Sequence, residues 1–172
     1  MRLGFSVRVF GANLPSYDAR RWPERPSLGT SLVYLRDILT HLGTHRLRMY
    51  RMHSRLLPWG PEDDLAGAHA QVEANALELA AVGALARRHG VRLSFHPYSA
   101  VVLNAVNEDQ AARSRDHLEV LAALLDAMGL DDEAVIVLHV GGVYDGAEAA
   151  RERFVRRYEA LPESSRRRLA LE

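Results

Sequence analysis

The chain contains no cysteine and no lysine. Without cysteine there is no disulfide framework, no thiolate-ligated zinc and no thiol nucleophile. Without lysine there is no Schiff base, and all 22 cations are arginines, so any cationic phosphate contact must use a guanidinium fork. Net charge is also absent: 22 basic side chains balance 22 acidic ones. That argues against the indiscriminate nucleic-acid binding that usually shows as a basic excess. No apolar run approaches the roughly 20 residues of a membrane span, so no membrane partner is expected. The first ten residues, interrupted by Arg8, are too short for a secretion signal, which leaves a cytoplasmic setting as the expectation. The 172 residues are 48% hydrophobic and 26% charged, in keeping with one globular domain over residues 1–172.

What is present is a repeat. Strand-like apolar runs recur at near-even spacing, at Arg2–Phe10, Leu47–Met52, Val91–Phe95, Val135–Val140 and Arg168–Leu171. Helix patterns lie between them. Leu28, Leu32, Leu35, Leu39 and Leu42 share one face, with Gly43 as the expected stop. A second helix is expected from about His69 to His89, with Val72, Ala76, Leu79, Gly83 and Ala86 inward and Gly90 ending it. A third opens on Asn107 as N-cap, buries Leu118, Leu121, Leu125 and Met128, and ends at Gly129. A fourth carries Phe154, Tyr158 and Leu161 and stops at Pro162.

Strand–helix alternation predicts βαβ units and a parallel sheet, and near-continuous apolar strands predict cover on both faces. Two architectures fit, an open doubly wound sheet or part of a (β/α)8 TIM barrel. A full barrel takes about 250 residues. Four βα units plus a fifth strand ending at Glu172 read like the first half of one.

Ligands of parallel α/β folds bind beyond the C-terminal strand ends. There the sequence places His53, His96, His139 and Glu172 on four successive strands. Imidazole and carboxylate from neighbouring strands form a ligand set for zinc, manganese or iron. The competing reading, packed or hydrogen-bonded histidines, is equally open on these grounds. His41, His45, His89 and His117 lie in helices or at their ends, where capping or surface roles are expected, and His69 is expected to be structural. Trp22 and Trp59 fall in loops on the same rim, where covering the barrel mouth is favoured over stacking on a base.

At these residues the chain resembles the UV damage endonuclease family, metal-dependent DNA repair nucleases with a TIM-barrel fold related to endonuclease IV. The resemblance is carried by an ordered series: residues 2–5, Ser31–Ile38, Arg48–Met52, Leu93–Pro97 with Val101–Asn104, Leu124–Leu130, His139–Tyr144, and Leu161–Glu163 with Arg166–Glu172. It implies incision of the DNA backbone on the 5′ side of UV photoproducts, with damaged double-stranded DNA as partner. It implies a cluster of divalent metals, manganese first, with zinc or magnesium as alternatives. By resemblance, His96, His139 and Glu172 are catalytic metal ligands, Glu172 bridging two metals. Phe5, Arg51, Tyr98, Ser99, Ala100 and Asn104 are the candidate DNA contacts.

Several positions depart from the family. Its Gln–aromatic pair that probes the duplex reads Ser99-Ala100 here. A tyrosine at the first strand's end is Phe5, and His53 stands where serine is usual. A loop histidine is missing, with Glu62 as the substitute candidate. The family's ligands beyond Glu172 do not occur in this sequence, so a complementing C-terminal half or a homodimer is the expected partner, and inactivity of the chain alone is expected. Two further readings stand beside the nuclease: a metal-dependent sugar isomerase or epimerase of the xylose-isomerase-like barrel type, and a non-catalytic half-barrel that self-associates.

Overall fold

A computed structural model describes residues 2–9, 11–21, 25–59 and 64–172. Five short strands, β1 (Gly4–Ser6), β2 (Met49–Met52), β3 (Arg92–Phe95), β4 (Ile136–Leu138) and β5 (Leu169–Leu171), form one parallel sheet in sequential order. The helices between them are α1 (Leu28–Thr44), α2 (Leu65–Ala74), α3 (Ala76–His89), α4 (Glu108–Ala127), α5 (Ala147–Glu159) and α6 (Glu163–Arg166). Sequential order decides between the two architectures. Parallel crossovers are right-handed, so neighbours joined in chain order put every helix on one side of the sheet. A doubly wound sheet must reverse order once. This chain winds in the (β/α)8 barrel manner through five strands.

The register explains where the core sits. Phe5, Tyr50, Leu93, Ile136 and Leu169 share one face with Met52, Phe95 and Leu138. Tyr50, Met52, Leu93, Phe95, Ile136 and Leu138 are each at most 1% exposed, packed with Leu35, Ile38, Leu39, Leu79, Leu121 and Leu125 from the helices. The opposite face carries Gly4, Ser6, Met49, Arg51, Ser94, Val137 and Ala170; Gly4, Ser6 and Arg51 are exposed there, while Ser94 of the central strand is buried. The expectation that both faces are covered is therefore corrected among the described residues. The apolar runs were misleading because the alternate positions carry small or amphipathic side chains (Met49, Val137, Ala170) that read as core in sequence.

Local chemistry corrects other expectations. The first strand is three residues, because Val7 takes a left-handed conformation (φ 54°) and Tyr50 donates its hydroxyl to the Val7 carbonyl at 2.9 Å. Gly43 lies inside α1 rather than ending it. A side chain there would collide with the His89 ring of α3, so its role is close helix packing, and the left-handed turn falls on Arg46 (φ 55°). The single helix expected over 69–89 is two. Asn75 breaks it, with its side chain donating to the Gln71 carbonyl at 2.8 Å in competition with the helical ladder. Ala76, expected inward, is exposed as a result, and His69 sits exposed in mid-helix. Asn107 caps α4 as expected, accepting from the Gln110 N–H at 2.9 Å, and Gly90 ends α3 in the left-handed region. No helix among the described residues is long and apolar enough to cross a membrane.

Two arginine clamps hold loops at opposite ends of the sheet. Arg157 of α5 donates to the Leu103 and Ala105 carbonyls at 2.7 and 2.6 Å and to Glu108 at 2.6 Å. Arg168, 2% exposed, grips Asp126 at 2.7 Å together with the Leu130, Asp131 and Ala134 carbonyls at the start of β5.

Candidate metal centre

Three strand ends converge. His96 directly follows β3, His139 follows β4 and Glu172 follows β5. Strand alternation sends all three to the open face, since Phe95, Leu138 and Leu171 before them belong to the helix-covered face. The Glu172 N–H donates to the Leu138 carbonyl at 3.0 Å, which seats the carboxylate beside His139. One ligand atom from each of His96, His139 and Glu172 lies within 4.8 Å of the others. His96 Nε2 is 3.4 Å from Glu172 Oε2, and the two imidazole rings meet edge to face with centroids 4.7 Å apart.

The donor set fits a divalent cation. His96 Nδ1 lies 3.0 Å from the Pro97 carbonyl, an acceptor only, so Nδ1 carries the proton. Nε2 is then the basic nitrogen, held toward Glu172. Such outer hydrogen bonds fix tautomer and ring orientation in metal-ligating histidines. Two imidazoles and a carboxylate suit zinc, manganese or iron.

His53 does not join them. Its Nδ1 accepts the Arg55 N–H at 3.0 Å and its ring stacks on Tyr17 at 4.0 Å; burial, with the Arg55 charge second, lowers its pKa. The expected four-member rim is a three-member group plus a packed histidine. His117 also departs from expectation. It is 8% exposed in the middle of α4, parallel to Trp59 at 6.0 Å and edge-on to Tyr98 at 5.3 Å. Burial pushes its pKa down to about 4, and its Nε2 has no hydrogen-bond partner. The spacing Ser114, His117, Leu121 carried the signal, since steps of three and four share a face. Trp59 packs partly buried against the core and parallel to His117 of α4.

Of the candidate DNA contacts, Arg51, Tyr98, Ser99 and Ala100 are exposed, Tyr98 at 53%. Arg51 stands on the open face between Ser6 and Ser94. Phe5 is half-buried, edge-on to Tyr50 at 5.6 Å. Asn104 is 2% exposed and donates to the Gly142 carbonyl at 2.6 Å, so it faces the interior of the rim, not the solvent. That position lies beneath the loop that follows β4. Glu62 and Trp22 lie outside the described residues.

A family model described as "UV-endonuclease UvdE" matches residues 28–172. The chain belongs to that family. Among curated relatives, a UV DNA damage endonuclease of Halalkalibacterium halodurans is 34% identical over 135 residues, spanning 78% of this chain and 42% of the relative. One of Clostridium perfringens is 29% identical over 138 residues, spanning 80% and 33%. The chain thus spans between a third and about two-fifths of the length of these relatives. A solved structure described as "Crystal Structure of SacUVDE" superposes with a TM-score of 0.86 at 24% identity, over 99% of this chain and 60% of that one. That likeness bears on the fold, a five-stranded portion of a TIM-barrel-like protein. Within the UvdE match, the metal-ligand candidates His96, His139 and Glu172 all fall inside the matched residues.

Proposed function

We propose that this chain carries part of the metal centre of a divalent-metal-dependent DNA repair endonuclease that incises the backbone 5′ to UV photoproducts. The convergence of His96, His139 and Glu172 within 4.8 Å is the observation that supports it. A bound divalent cation, manganese first with zinc or magnesium as alternatives, would supply Lewis-acid charge beside a scissile phosphodiester. The chain's own side chains do the rest. His96 is held as a base at Nε2 by its Nδ1–H bond to Pro97, and Glu172 presents a carboxylate from the end of β5. Arg51, on the same open face, offers a fork to a DNA phosphate, and Tyr98 offers an exposed ring two residues past His96. Three protein ligands leave coordination positions open, which water or a substrate oxygen would fill.

The test is nicking of UV-irradiated supercoiled plasmid with manganese, beside unirradiated plasmid and a His96→Ala variant, run with titration of Mn2+ by its electron paramagnetic resonance signal. Nicking that needs irradiation, metal and His96 supports the whole reading. Nicking indifferent to irradiation supports a nuclease without lesion preference. Mn2+ binding lost in His96→Ala, without nicking, retains the metal centre and overturns activity of this chain alone. Mn2+, Zn2+ and Mg2+ binding unaffected by His96→Ala overturns the metal centre.

A further inference from the structure

His139 sits on an unusual piece of backbone. The loop after β4 reads His139-Val140-Gly141-Gly142-Val143-Tyr144, has no helix or strand of its own, and is exposed throughout. Val143 and Tyr144 are 70% and 59% exposed. Such a loop has little packing to hold a ligand in place. What it has is a tether from below. Asn104, from the segment after β3, is buried and its Nδ2 donates to the Gly142 carbonyl at 2.6 Å. Its Oδ1 is buried with no hydrogen-bond partner and lies against Gly141, whose φ is 97°. Any Cβ at Gly141 would collide with that amide. Arg153 of α5 supports the same point from the other side, donating to the Asn104 carbonyl at 3.1 Å and to the Tyr144 carbonyl at 2.6 Å. A buried polar group whose oxygen goes without a partner costs stability. The backbone at Gly141 is also one that only glycine adopts without strain. One cost falls on Asn104 itself and the other on Gly141, two residues after His139.

We infer that Asn104 is a positioning residue for the metal centre: with Arg153 as its support, it holds the Gly141–Gly142 backbone so that His139 faces His96 and Glu172. This rests on the reading of His139 as a metal ligand, although its geometric part does not. Asn104 itself touches neither His139 nor a metal; it acts through the loop. The same amide ties the segment after β3 to the loop after β4 that carries His139.

The experiment uses Asn104→Ala, Asn104→Asp and Arg153→Met, with Ser114→Ala as a control. Ser114 is buried beneath the same β3 segment, accepts from the Val102 N–H at 3.1 Å and donates to the Gln110 carbonyl at 2.8 Å. Two readouts separate the claims. The first is the ring-current shift of the His139 imidazole protons by NMR, which reports its edge-to-face contact with His96 without any metal. The second is Mn2+ affinity. The expected result is loss of the His139 ring-current shift and a 10-fold or greater fall in Mn2+ affinity in the Asn104 variants, a smaller fall in Arg153→Met, and neither change in Ser114→Ala. Persistence of the ring-current shift in Asn104→Ala and Arg153→Met overturns the inference, whatever the metal does. Loss of the shift in the Asn104 variants, with a wild-type chain that shows the shift and binds no Mn2+, leaves Asn104 as the positioning residue and overturns only the metal reading. If Asn104→Ala fails to fold, Arg153→Met alone decides, because it removes the support from a surface helix.

Discussion

Replacing Arg168 with methionine should destabilise the chain by about 2–4 kcal/mol. The guanidinium is 2% exposed and immediately precedes β5. Its Nε and one terminal nitrogen hold Asp126 Oδ1 at 3.0 and 2.7 Å, the latter nitrogen also reaching the Leu130 carbonyl at 2.8 Å. The other terminal nitrogen serves the Asp131 carbonyl and, at 3.2 Å, that of Ala134. Methionine preserves the stem's packing and strands these acceptors. Removing one partner of a buried ion pair costs about 3–5 kcal/mol when the other charge is left alone. Here Asp126 is 29% exposed and keeps Arg167 at 2.8 Å, so its charge is not stranded and the lost pair costs only about 1 kcal/mol. The three carbonyls add about 1 kcal/mol each where water cannot reach them, which is least true of the exposed Asp131. For a chain of this size the sum corresponds to a fall of roughly 6–12 °C in Tm. Urea unfolding followed by circular dichroism measures it, with Arg168→Lys in parallel. Lysine restores the charge near Asp126 and lacks the fork, so most of the loss should remain. Arg168→Met within about 1 kcal/mol of wild type, or Arg168→Lys equal to it, would refute the argument that the fork's carbonyl bonds matter. Glu172 lies at the other end of β5, about 13 Å away by strand rise, so metal affinity should change less than stability does.

Two further outcomes follow from titratable groups. The Asp18 carboxyl, hydrogen-bonded by Arg20 and by the Ser27 N–H at the start of α1, is held at about 2. A depressed folded pKa stabilises above the unfolded value and the gain disappears as pH falls from about 4 to 2; with Arg20 43% exposed and screened, we expect about 1–2 kcal/mol, missing at pH 7 in Asp18→Asn and measured by urea unfolding across pH. His117 has the same sign for a different reason. Burial holds it neutral down to about 4, so protons bind the unfolded chain first and stability should drop by about 2 kcal/mol between pH 7.5 and pH 5. His117→Phe should abolish that acid loss; an unchanged pH slope in the variant would show that another group carries it.

Periodicity alone made the α/β class, the five strands and most helix stripes legible, because inward residues recur at spacings set by the backbone. Alternation past a strand's end made His96, His139 and Glu172 legible as a rim. Chemistry that depends on a partner far away in sequence was not legible. Nothing near Asn104 shows that Gly142 will lie above it, and nothing near Arg168 shows that Asp126 will reach it, because both bonds cross βα units. The same reason governs His53, which reads as a rim ligand until Tyr17 stacks on it. It also governs Gly43, which reads as a helix stop until the His89 ring packs there. The sheet order β1-β2-β3-β4-β5 settled barrel winding over a doubly wound sheet, a choice that strand patterns cannot make since each strand's pattern is the same in both. Local patterns thus determined which elements form and which residue types reach the rim. Only tertiary packing decided which of those side chains meet, since a hydrogen bond or ring contact depends on distances between segments that local propensity does not encode.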